Sequence, residues 1–250
     1  MRILLVDADI VAFAAATRAE TKIEWSPGSL TYVGDVQKGR DSADAFINQL
    51  IEDTEADEAV LFFSHVDNFR KKLNPDYKSN RVGTYKPLCL DPTRKHLEST
   101  WRAKVMDNIE ADDALGIFGT MDSIHEYVIA STDKDMLTLP GAHLYNWNKP
   151  ELGIREISPE SADRSFYIQA VAGDSTDGYG GCPGLGPKRA ADLVDKHWPN
   201  PWPAIVEAYA KKDLDEDYAL MMARMARILR SGEYDDSTAQ PLLWEPPTNG

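Results

Sequence analysis

Short apolar runs rich in branched side chains recur in the first 150 residues of the chain, with longer mixed segments between them. Such runs, bounded by polar or turn residues, are typical of strands that are buried on both faces of a parallel sheet. The three strongest runs and two weaker ones predict strands at RILLVD (2–7), AVLFFS (59–64) and YVIAS (127–131), then AKVMD (103–107) and HLYNW (143–147).

Apolar residues at helical spacing occupy most of the remaining chain. They predict helices over 42–58 with Ser42 as the N-cap, then over 91–102, 109–121, 158–172, 187–194, 202–210 and 214–230, with a helical turn at 132–140 and an extended tail at 241–250. Residues 8–40 contain turn signals and predict no definite element. Strands that alternate with helices predict an α/β fold, with a parallel-sheet core in residues 1–157 and a helical region in 158–250.

Composition narrows the class of protein. The chain is 42% hydrophobic and 27% charged, and its apolar runs are far shorter than the roughly 20 residues of a membrane helix. Asp7 and Asp9 interrupt the apolar start, which favours a buried strand over a signal peptide. Two cysteines, Cys89 and Cys182, are too few for a disulfide framework or a cysteine-based zinc site. We therefore expect a cytoplasmic protein without a membrane partner.

The charge of the chain is unevenly distributed. The net charge is −14, but residues 70–104 contain ten Lys/Arg against three Asp/Glu, a local balance of +7, so the other 215 residues carry −21. This pattern favours a basic element that faces an acidic body over a loop with scattered, solvated lysines. The residues 68–104 are called the basic segment below.

Acidic residues follow the predicted strands at the point where each strand ends. In open parallel sheets the functional crevice lies beyond these carboxyl ends, so the fold itself would bring the acids together. N-capping explains each group alone but not their coincidence, because crowded carboxylates repel one another unless cations bind there. Hard oxygen ligands without His or Cys select Mg²⁺ or Mn²⁺, and two such ions are typical of phosphoryl transfer. The eight carboxylates are Asp7, Glu110, Asp112, Asp113, Asp133, Asp135, Asp174 and Asp177.

The basic segment interleaves cations with aromatic residues. Cations of this kind bind phosphates, and aromatic faces can stack on exposed bases. The segment leaves the carboxyl end of the second predicted strand, so we expect it beside the acids. Its candidate DNA-binding residues are Arg70, Lys71, Tyr77, Lys78 and Arg81.

A glycine-rich stretch, GDSTDGYGGCPGLGPKRAADLV (173–194), begins with two of the acids and ends in a predicted helix. A nucleotide-binding P-loop is disfavoured, because Pro187 and Arg189 occupy the positions of the required lysine and Ser/Thr and no strand precedes the glycines. Instead, Asp174 and Asp177 would belong to the acidic crevice, while Gly184, Gly186 and Lys188 open the predicted helix and would hold a second phosphate.

Five motifs, taken in chain order, resemble the 5′-nuclease or flap endonuclease superfamily: DAD, FRKKLNPDYKSNR, EADD, STDKD and this glycine-rich stretch. The closing MARILRSGEYDDSTAQPLLWEPP resembles bacteriophage 5′→3′ exonucleases. The resemblance covers residues 1 to about 198. It implies a PIN-like core, a helical arch formed by the basic segment, and a helix–hairpin–helix-type DNA clamp at 173–198.

The resemblance also implies roles for individual residues. A first metal set would contain Asp7, Glu110, Asp112 and Asp113, and a second set Asp133, Asp135, Asp174 and Asp177. Lys78 and Arg70 would act on the scissile phosphate, with Asp7 and Asp133 as the central catalytic carboxylates. The turn at Gly184 and Gly186 would hold the duplex backbone and a monovalent cation such as K⁺.

One departure from the family pattern concerns the second predicted strand. The family usually has an aspartate just after it, whereas this chain reads LFFSHVDNFRKK, with Ser64 and His65 at that place and Asp67 three to four residues late. Three explanations remain open: a weakened first metal set, His65 as a substitute, or Asp67 reaching back.

These features together predict a two-metal 5′→3′ exonuclease that acts as a monomer on DNA with a 5′ end, nick or flap, and also on RNA–DNA hybrids. A structure-selective flap endonuclease or RNase H is the first alternative. A non-catalytic DNA-binding relative is the second, supported by the missing strand-two acid.

Overall fold

The computed structural model describes residues 1–247, and a six-stranded sheet forms its centre. The strands, in chain order, are β1 (Arg2–Asp7), β2 (Glu20–Ser26), β3 (Ser29–Gly34), β4 (Glu58–Phe63), β5 (Ala103–Val105), β6 (Glu126–Ala130), β7 (His143–Tyr145), β8 (Ile154–Glu156), β9 (Tyr234–Asp235) and β10 (Gln240–Pro241). The central sheet has the order β5-β4-β1-β6-β7-β8, and its strands are parallel except for the antiparallel pair β7–β8. The predicted α/β fold with a parallel core is confirmed.

Nine α-helices are present in residues 1–247. They are α1 (Ala8–Arg18), α2 (Val36–Thr54), α3 (Phe69–Leu73), α4 (Leu90–Thr100), α5 (Ala111–Gly119), α6 (Pro159–Ala172), α7 (Pro187–Lys196), α8 (Trp202–Ala210) and α9 (Glu216–Ala226). Short 3₁₀ turns lie at Ser79–Arg81, Lys134–Thr138 and Pro150–Leu152. None of the described helices combines the length and apolarity needed to cross a bilayer.

All five predicted strands are present, since each carries its own apolar run. The sequence reading missed elements in residues 8–40, where α1 and the β2–β3 hairpin form, and it missed β8, which has only three residues. It also placed the start of α2 too late. The N-cap is Asp35, whose side chain accepts from the backbone N–H of Lys38, and Ser42 lies inside the helix.

Apolar side chains pack on both faces of the sheet. One face is covered by α5 and includes Phe62, Leu115 and Ile129, whereas α1, α2 and α4 cover the other face. A third core lies within the C-terminal helices, where Met222 and Met225 are buried as the sequence predicted. Helix α9 nevertheless ends at Ala226, four residues earlier than predicted.

The basic segment is helical at its two ends only. Between α3 and α4, residues 74–89 contain one 3₁₀ turn at Ser79–Arg81. The segment is anchored to the start of the glycine-rich stretch, because Lys78 N–H donates to the Asp177 carbonyl at 2.8 Å and Asn80 Nδ2 donates to the Ser175 and Thr176 carbonyls. The middle of the basic segment is therefore held against residues 175–177.

Residues 173–186, the glycine loop, connect α6 to α7. Gly173 and Gly181 both have positive φ and lie against each other's backbone, so a Cβ at either position would overlap the opposite chain. Only glycine at these two positions allows the two ends of this turn to pack directly against each other. Of the predicted extended tail, residues 241–247 are described and Trp244 packs on Phe166 and Trp202; its last three residues lie outside the described range.

Candidate active site

An acidic cleft lies beyond the carboxyl ends of β1 and β6, as the topology predicts. It encloses about 310 Å³. Asp7 is the last residue of β1, and Val6 of that strand lies opposite Ala130 of β6, so residues that follow both strands reach the same edge. The carboxylates that line the cleft are Asp7, Asp9, Glu110, Asp112, Asp133 and Asp177, and its other polar side chains are Ser64, Lys78 and Arg81.

Asp7 and Asp112 carry the least compensated charge in the cleft. Burial, together with repulsion from Asp9 and Asp133, raises the pKa of Asp7 to about 7, even though Ser131 donates a hydrogen bond to it at 2.9 Å. Burial, followed by repulsion from Asp7 and Asp133, raises the pKa of Asp112 well above its ordinary value. Asp112 forms no ion pair within residues 1–247. These two carboxylates would be stabilised by a bound cation.

Asp133 and Asp135 belong to one 3₁₀ turn. Asp133 caps the turn by accepting from the Asp135 N–H at 2.8 Å. Burial and then repulsion from Asp133 raise the pKa of Asp135 to about 6. The Asp135 Oδ1 atom is buried without a hydrogen-bond partner among residues 1–247. An unpaired carboxylate oxygen of this kind is costly unless a ligand satisfies it.

Asp174 lies in a neighbouring cavity of about 420 Å³, beside the cleft and against the start of α7. Its carboxylate accepts from Lys134 Nζ at 2.7 Å. Burial raises the pKa of Asp174, but the hydrogen bond from Lys134 and the N–H of Thr176 outweigh it, and the pKa lies below its ordinary value. Lys134 is thus a cation that the sequence reading did not include in the site, although it lies between Asp133 and Asp135.

Glu110 joins the cleft to the basic segment. It accepts from Tyr77 Oη at 2.7 Å and from Lys78 Nζ at 2.8 Å. Burial raises the pKa of Glu110, but the charges of Lys78 and Arg70 outweigh it and hold the pKa below its ordinary value. Tyr77 was predicted to bind DNA, yet its ring is buried and its hydroxyl also donates to Asp177 at 3.1 Å.

Lys78 and Arg81 present the cations of the basic segment to the cleft. Lys78 has a left-handed backbone conformation (φ 55°), which is uncommon for a residue with a side chain and costs free energy. Its Nζ also lies 3.7 Å from Asp177, which pairs with Arg81 at 2.6 Å. Two cations therefore line the acidic cleft.

Arg70 and Asp113 lie outside the cleft, contrary to the roles expected for them. The Arg70 guanidinium is 2% exposed and Asp113 is fully buried. Arg70 donates to both Asp113 oxygens, at 2.6 and 2.7 Å, and to the carbonyls of Met225 and Arg227. The sequence could not separate Arg70 and Asp113 from the cleft residues, because they lie within the FRKKLNPDYKSNR and EADD motifs that also contain cleft residues. Arg70 and Asp113 are therefore too deeply buried to contact DNA or a metal ion in the cleft.

The remaining predicted DNA contacts lie on the surface. Lys71 is exposed, and its Nζ donates to the Val66 carbonyl at 3.1 Å. Gly184, Gly186 and Lys188 are exposed around the N-terminus of α7, where Gly186 is the N-cap and Gly184 has a φ of 83°. They border a shallow cavity of about 390 Å³, separate from the acidic cleft.

Neither alternative for the missing acid after β4 reaches the cleft. His65 Nε2 lies 3.6 Å from Asp107, its Nδ1 accepts from the Asp67 N–H, and Asp67 is exposed. Ser64 lines the cleft instead, next to Asp9. Sequence reasoning left Asp9 out of the site, although its position two residues after Asp7 in the DAD motif was a signal.

The donor set of the cleft fits hard divalent cations. Its ligands are carboxylates, without histidine or cysteine, as Mg²⁺ and Mn²⁺ prefer. Mutual repulsion of Asp7 and Asp112 indicates a need for positive charge in the cleft. Asp135 lies outside the cleft, in an adjoining cavity that it shares with Lys134, and its unpaired Oδ1 indicates a similar need there. Within residues 1–247 no three His, Cys, Asp or Glu side chains are close enough together to hold a metal ion, and the ammonium groups of Lys78 and Lys134 pair with Glu110 and Asp174 instead.

Residues 2–166 match the family model of the 5′-3′ exonuclease N-terminal resolvase-like domain. The chain is 28% identical to the exodeoxyribonuclease of Enterobacteria phage T3 and 29% identical to the exonuclease of Escherichia phage T7, over 98% of this chain and 93% of each relative. It is also 34% identical to the flap endonuclease Xni of Shewanella oneidensis, over 54% of this chain and 56% of that protein.

Two solved structures share the fold. The bacteriophage T5 D15 flap endonuclease, in a complex with DNA and metal ions, matches with a TM-score of 0.65 at 14% identity, over 90% of this chain and 89% of that chain. The catalytic core of Rad2 with a DNA substrate matches with a TM-score of 0.52 at 14% identity, over 98% of this chain and 84% of that chain. The matches support the PIN-like core predicted from the sequence.

Proposed function

Because this chain belongs to the 5′-3′ exonuclease family, we propose that it is a divalent-metal-dependent 5′→3′ exonuclease. It hydrolyses phosphodiester bonds of DNA in phage-type replication or recombination. The observation that carries the proposal is the acidic cleft, in which carboxylates from β1, α5, the turn after β6 and the glycine loop converge beneath Lys78 and Arg81. Similarity to the phage T3 and T7 exonucleases over nearly the whole chain supports an exonuclease, and the matched 5′-3′ exonuclease family supports the direction of cleavage.

Two Mg²⁺ or Mn²⁺ ions would be held by carboxylates of the cleft and of the adjoining turn and loop. When bound, such ions activate water towards phosphorus and neutralise the charge that develops on the leaving 3′-oxygen. The first metal set would contain Asp7, Glu110 and Asp112, and the second set Asp133, Asp135, Asp174 and Asp177.

The cations of the basic segment orient the substrate. Lys78 Nζ and the Arg81 guanidinium now neutralise Glu110 and Asp177, and phosphate oxygens of DNA would offer them an additional acceptor. The hydrogen bond from the Lys78 N–H to the Asp177 carbonyl keeps the Lys78 ammonium group at the cleft. There it would stabilise the negative charge that develops during the reaction. Lys71 is exposed outside the cleft, and its charge would add attraction for the duplex.

The region around α7 would hold the duplex away from the cleft. Gly184, Gly186 and Lys188 present backbone N–H groups and an ammonium group at a helix start, an arrangement that binds phosphate. A monovalent cation such as K⁺ at this loop would join the glycine carbonyls to the DNA backbone. We expect one chain to act alone, since the cleft and the clamp lie on the same chain.

The experiment that tests this function substitutes Asp133→Asn and Asp174→Asn and follows 5′-labelled duplex DNA with Mg²⁺. We expect cleavage to fall by at least about 100-fold in each variant. Asp122→Asn removes an exposed acid outside the cleft and should cleave like the original chain. Undiminished cleavage by both the Asp133 and the Asp174 variant would disprove the metal sites. If the unsubstituted chain cleaves no DNA, a non-catalytic DNA-binding protein would be supported instead.

A structure-selective flap endonuclease with RNase H activity is the second candidate. The flap endonuclease Xni relatives support it over about half of the chain. The two activities differ in their products, so the chain should be given a 5′-flap, a nicked duplex and an RNA–DNA hybrid in parallel. Mononucleotides from the duplex end would favour the exonuclease, whereas an intact released flap would favour the endonuclease.

A further inference from the structure

Ser64 follows β4 at the place where an acid was expected, and an acid from the first turn of α1 lies directly beside it. Asp9 Oδ2 accepts a hydrogen bond from the Ser64 N–H at 2.8 Å. Asp9 belongs to the first turn of α1, two residues after Asp7, and both Asp9 and Ser64 line the acidic cleft. The expected acid is therefore absent from its usual strand, but a carboxylate is present at the same edge.

Hydrogen bonds to both oxygens fix the orientation of the Asp9 carboxylate. Arg94 of α4 donates to Asp9 Oδ1 at 3.2 Å and to the Ser64 carbonyl at 3.0 Å, and its guanidinium lies 4.8 Å from the centre of the Phe63 ring. The Asp9 side chain remains 33% exposed, so a ligand in the cleft can still reach it. Two fixed donors on a partly open carboxylate hold it in one orientation.

An acid at position 64 would add a second negative charge beside Asp9. Ser64 Oγ accepts from the Ala111 N–H at 3.0 Å, so its side chain faces the first turn of α5, where Glu110 and Asp112 begin the helix. A carboxylate at position 64 would lie against that of Asp9, and adjacent like charges in a half-buried cleft repel strongly. A single acid, at position 9 or at position 64, avoids this repulsion and still supplies one carboxylate to this part of the cleft.

We propose that Asp9 completes the first metal set with Asp7, Glu110 and Asp112, taking the place of the acid that is absent after β4. This inference rests on the proposed metal-dependent function. It replaces the three earlier explanations for Ser64, because the first set keeps four carboxylates without His65, Asp67 or Asp113.

The test measures Mn²⁺ binding by isothermal titration calorimetry on the DNA-free protein, so that the result does not depend on cleavage. We expect Asp9→Asn, which retains an acceptor for Ser64, to weaken the tighter Mn²⁺ site at least about tenfold. The exchange variant, Asp9→Ser with Ser64→Asp, returns the acid to β4 and should recover the affinity to within about threefold.

Two controls separate ligation from structure. Asp91→Asn removes an exposed acid of α4 with the same change of charge, and Arg94→Gln removes the ion pair but keeps the Asp9 carboxylate. Both should bind Mn²⁺ within about threefold of the original chain. Equal losses in Arg94→Gln and Asp9→Asn would overturn the proposal, because Asp9 would then act only by holding α4.

The outcomes also separate this proposal from the function on which it rests. If Asp7→Asn loses Mn²⁺ binding while Asp9→Asn binds normally, Asp9 is not a ligand and the metal-dependent function stands. If the unsubstituted chain binds no Mn²⁺ and cleaves no DNA with Mg²⁺, the function itself fails. If Asp9→Asn unfolds, the exchange variant decides: folding with restored binding supports the proposal, and folding without it overturns the proposal.

Discussion

Asp112 and Asp113 are consecutive residues in the first turn of α5, but they lie in two regions with opposite electrostatics. Asp112 faces the acidic cleft, where Asp7 and Asp133 repel it and raise its pKa. Asp113 faces the interior, where Arg70 pairs with both of its oxygens and the N–H groups of Glu110 and Leu229 also donate to it.

The difference shows how one motif serves two purposes. The buried region is fully compensated, since every charge has a partner of opposite sign or a backbone donor, and it ties α3 and α5 to the end of α9. The cleft is left under-compensated, which is unfavourable for folding but suited to binding cations. Substitutions can test whether the two regions are as distinct as their contacts indicate.

The largest effect should come from breaking the buried pair. Arg70→Met leaves the Asp113 carboxylate buried without its cation, so we expect a loss of about 3–5 kcal/mol in the free energy of unfolding, measured with urea. The double variant Arg70→Met with Asp113→Leu should recover more than half of that loss. Arg102→Met breaks the exposed pair with Glu58 and should cost less than about 1 kcal/mol. A loss below about 1 kcal/mol for Arg70→Met would contradict the view that the buried pair is structural.

On the cleft side, Asp112→Asn should affect the reaction instead of stability. We expect the rate of Mg²⁺-dependent cleavage to fall by about 100- to 1,000-fold. The free energy of unfolding without metal should be unchanged or higher, because neutralising a buried and repelled carboxylate removes an unfavourable charge. A loss of more than about 2 kcal/mol would show that Asp112 is structural, like its neighbour.

The pH dependence of stability should report the raised pKa of Asp7, about 7 in the folded chain. Between about pH 4 and pH 7 the folded state retains a proton that the unfolded state has lost, so stability without metal falls as the pH rises through this range. Asp7→Asn should remove this part of the slope. Mg²⁺ should raise the Tm more at pH 7.5 than at pH 5, since it competes with protons. Equal Tm increases at both pH values would count against the cleft as a cation site.

The smallest effect concerns Tyr77, which lies between the two regions. Its hydroxyl donates to Glu110 and Asp177, so Tyr77→Phe should cost about 1–2 kcal/mol in stability and reduce cleavage by less than about tenfold. Tyr32→Phe, at an exposed position in the β2–β3 hairpin, should change neither quantity. A larger loss of cleavage than of stability would indicate that the hydroxyl contacts the substrate.

Much of the fold was accessible from the sequence because its signals are local. Each buried strand carries its own apolar run, and Ser158 marks the start of α6 as predicted, since its hydroxyl accepts from the Ser161 N–H. The hairpin in residues 20–34 was missed because most of its residues are exposed on both faces, so no alternation of apolar and polar positions marks it.

The site was only partly accessible for the same reason. Asp7, Asp112 and Asp133 could be placed in a cleft because the carboxyl ends of parallel strands share one edge of the sheet. The partner of Asp113 is Arg70, 43 residues away in the chain, and no local pattern records that pairing. Asp9 likewise acquires its importance from contact with Ser64, 55 residues later.

The sequence by itself determined the strands, the order of the acidic motifs and the family to which they belong, since these depend on residue type and short spacing. The tertiary structure alone decided which charges are compensated: it buried Arg70 and Asp113 together and left Asp7 and Asp112 facing one another. It also brought Asp9 to the place of the absent acid. The physical reason is that a carboxylate's chemistry depends on its burial and on charges within a few ångströms, and residues distant in the chain supply both.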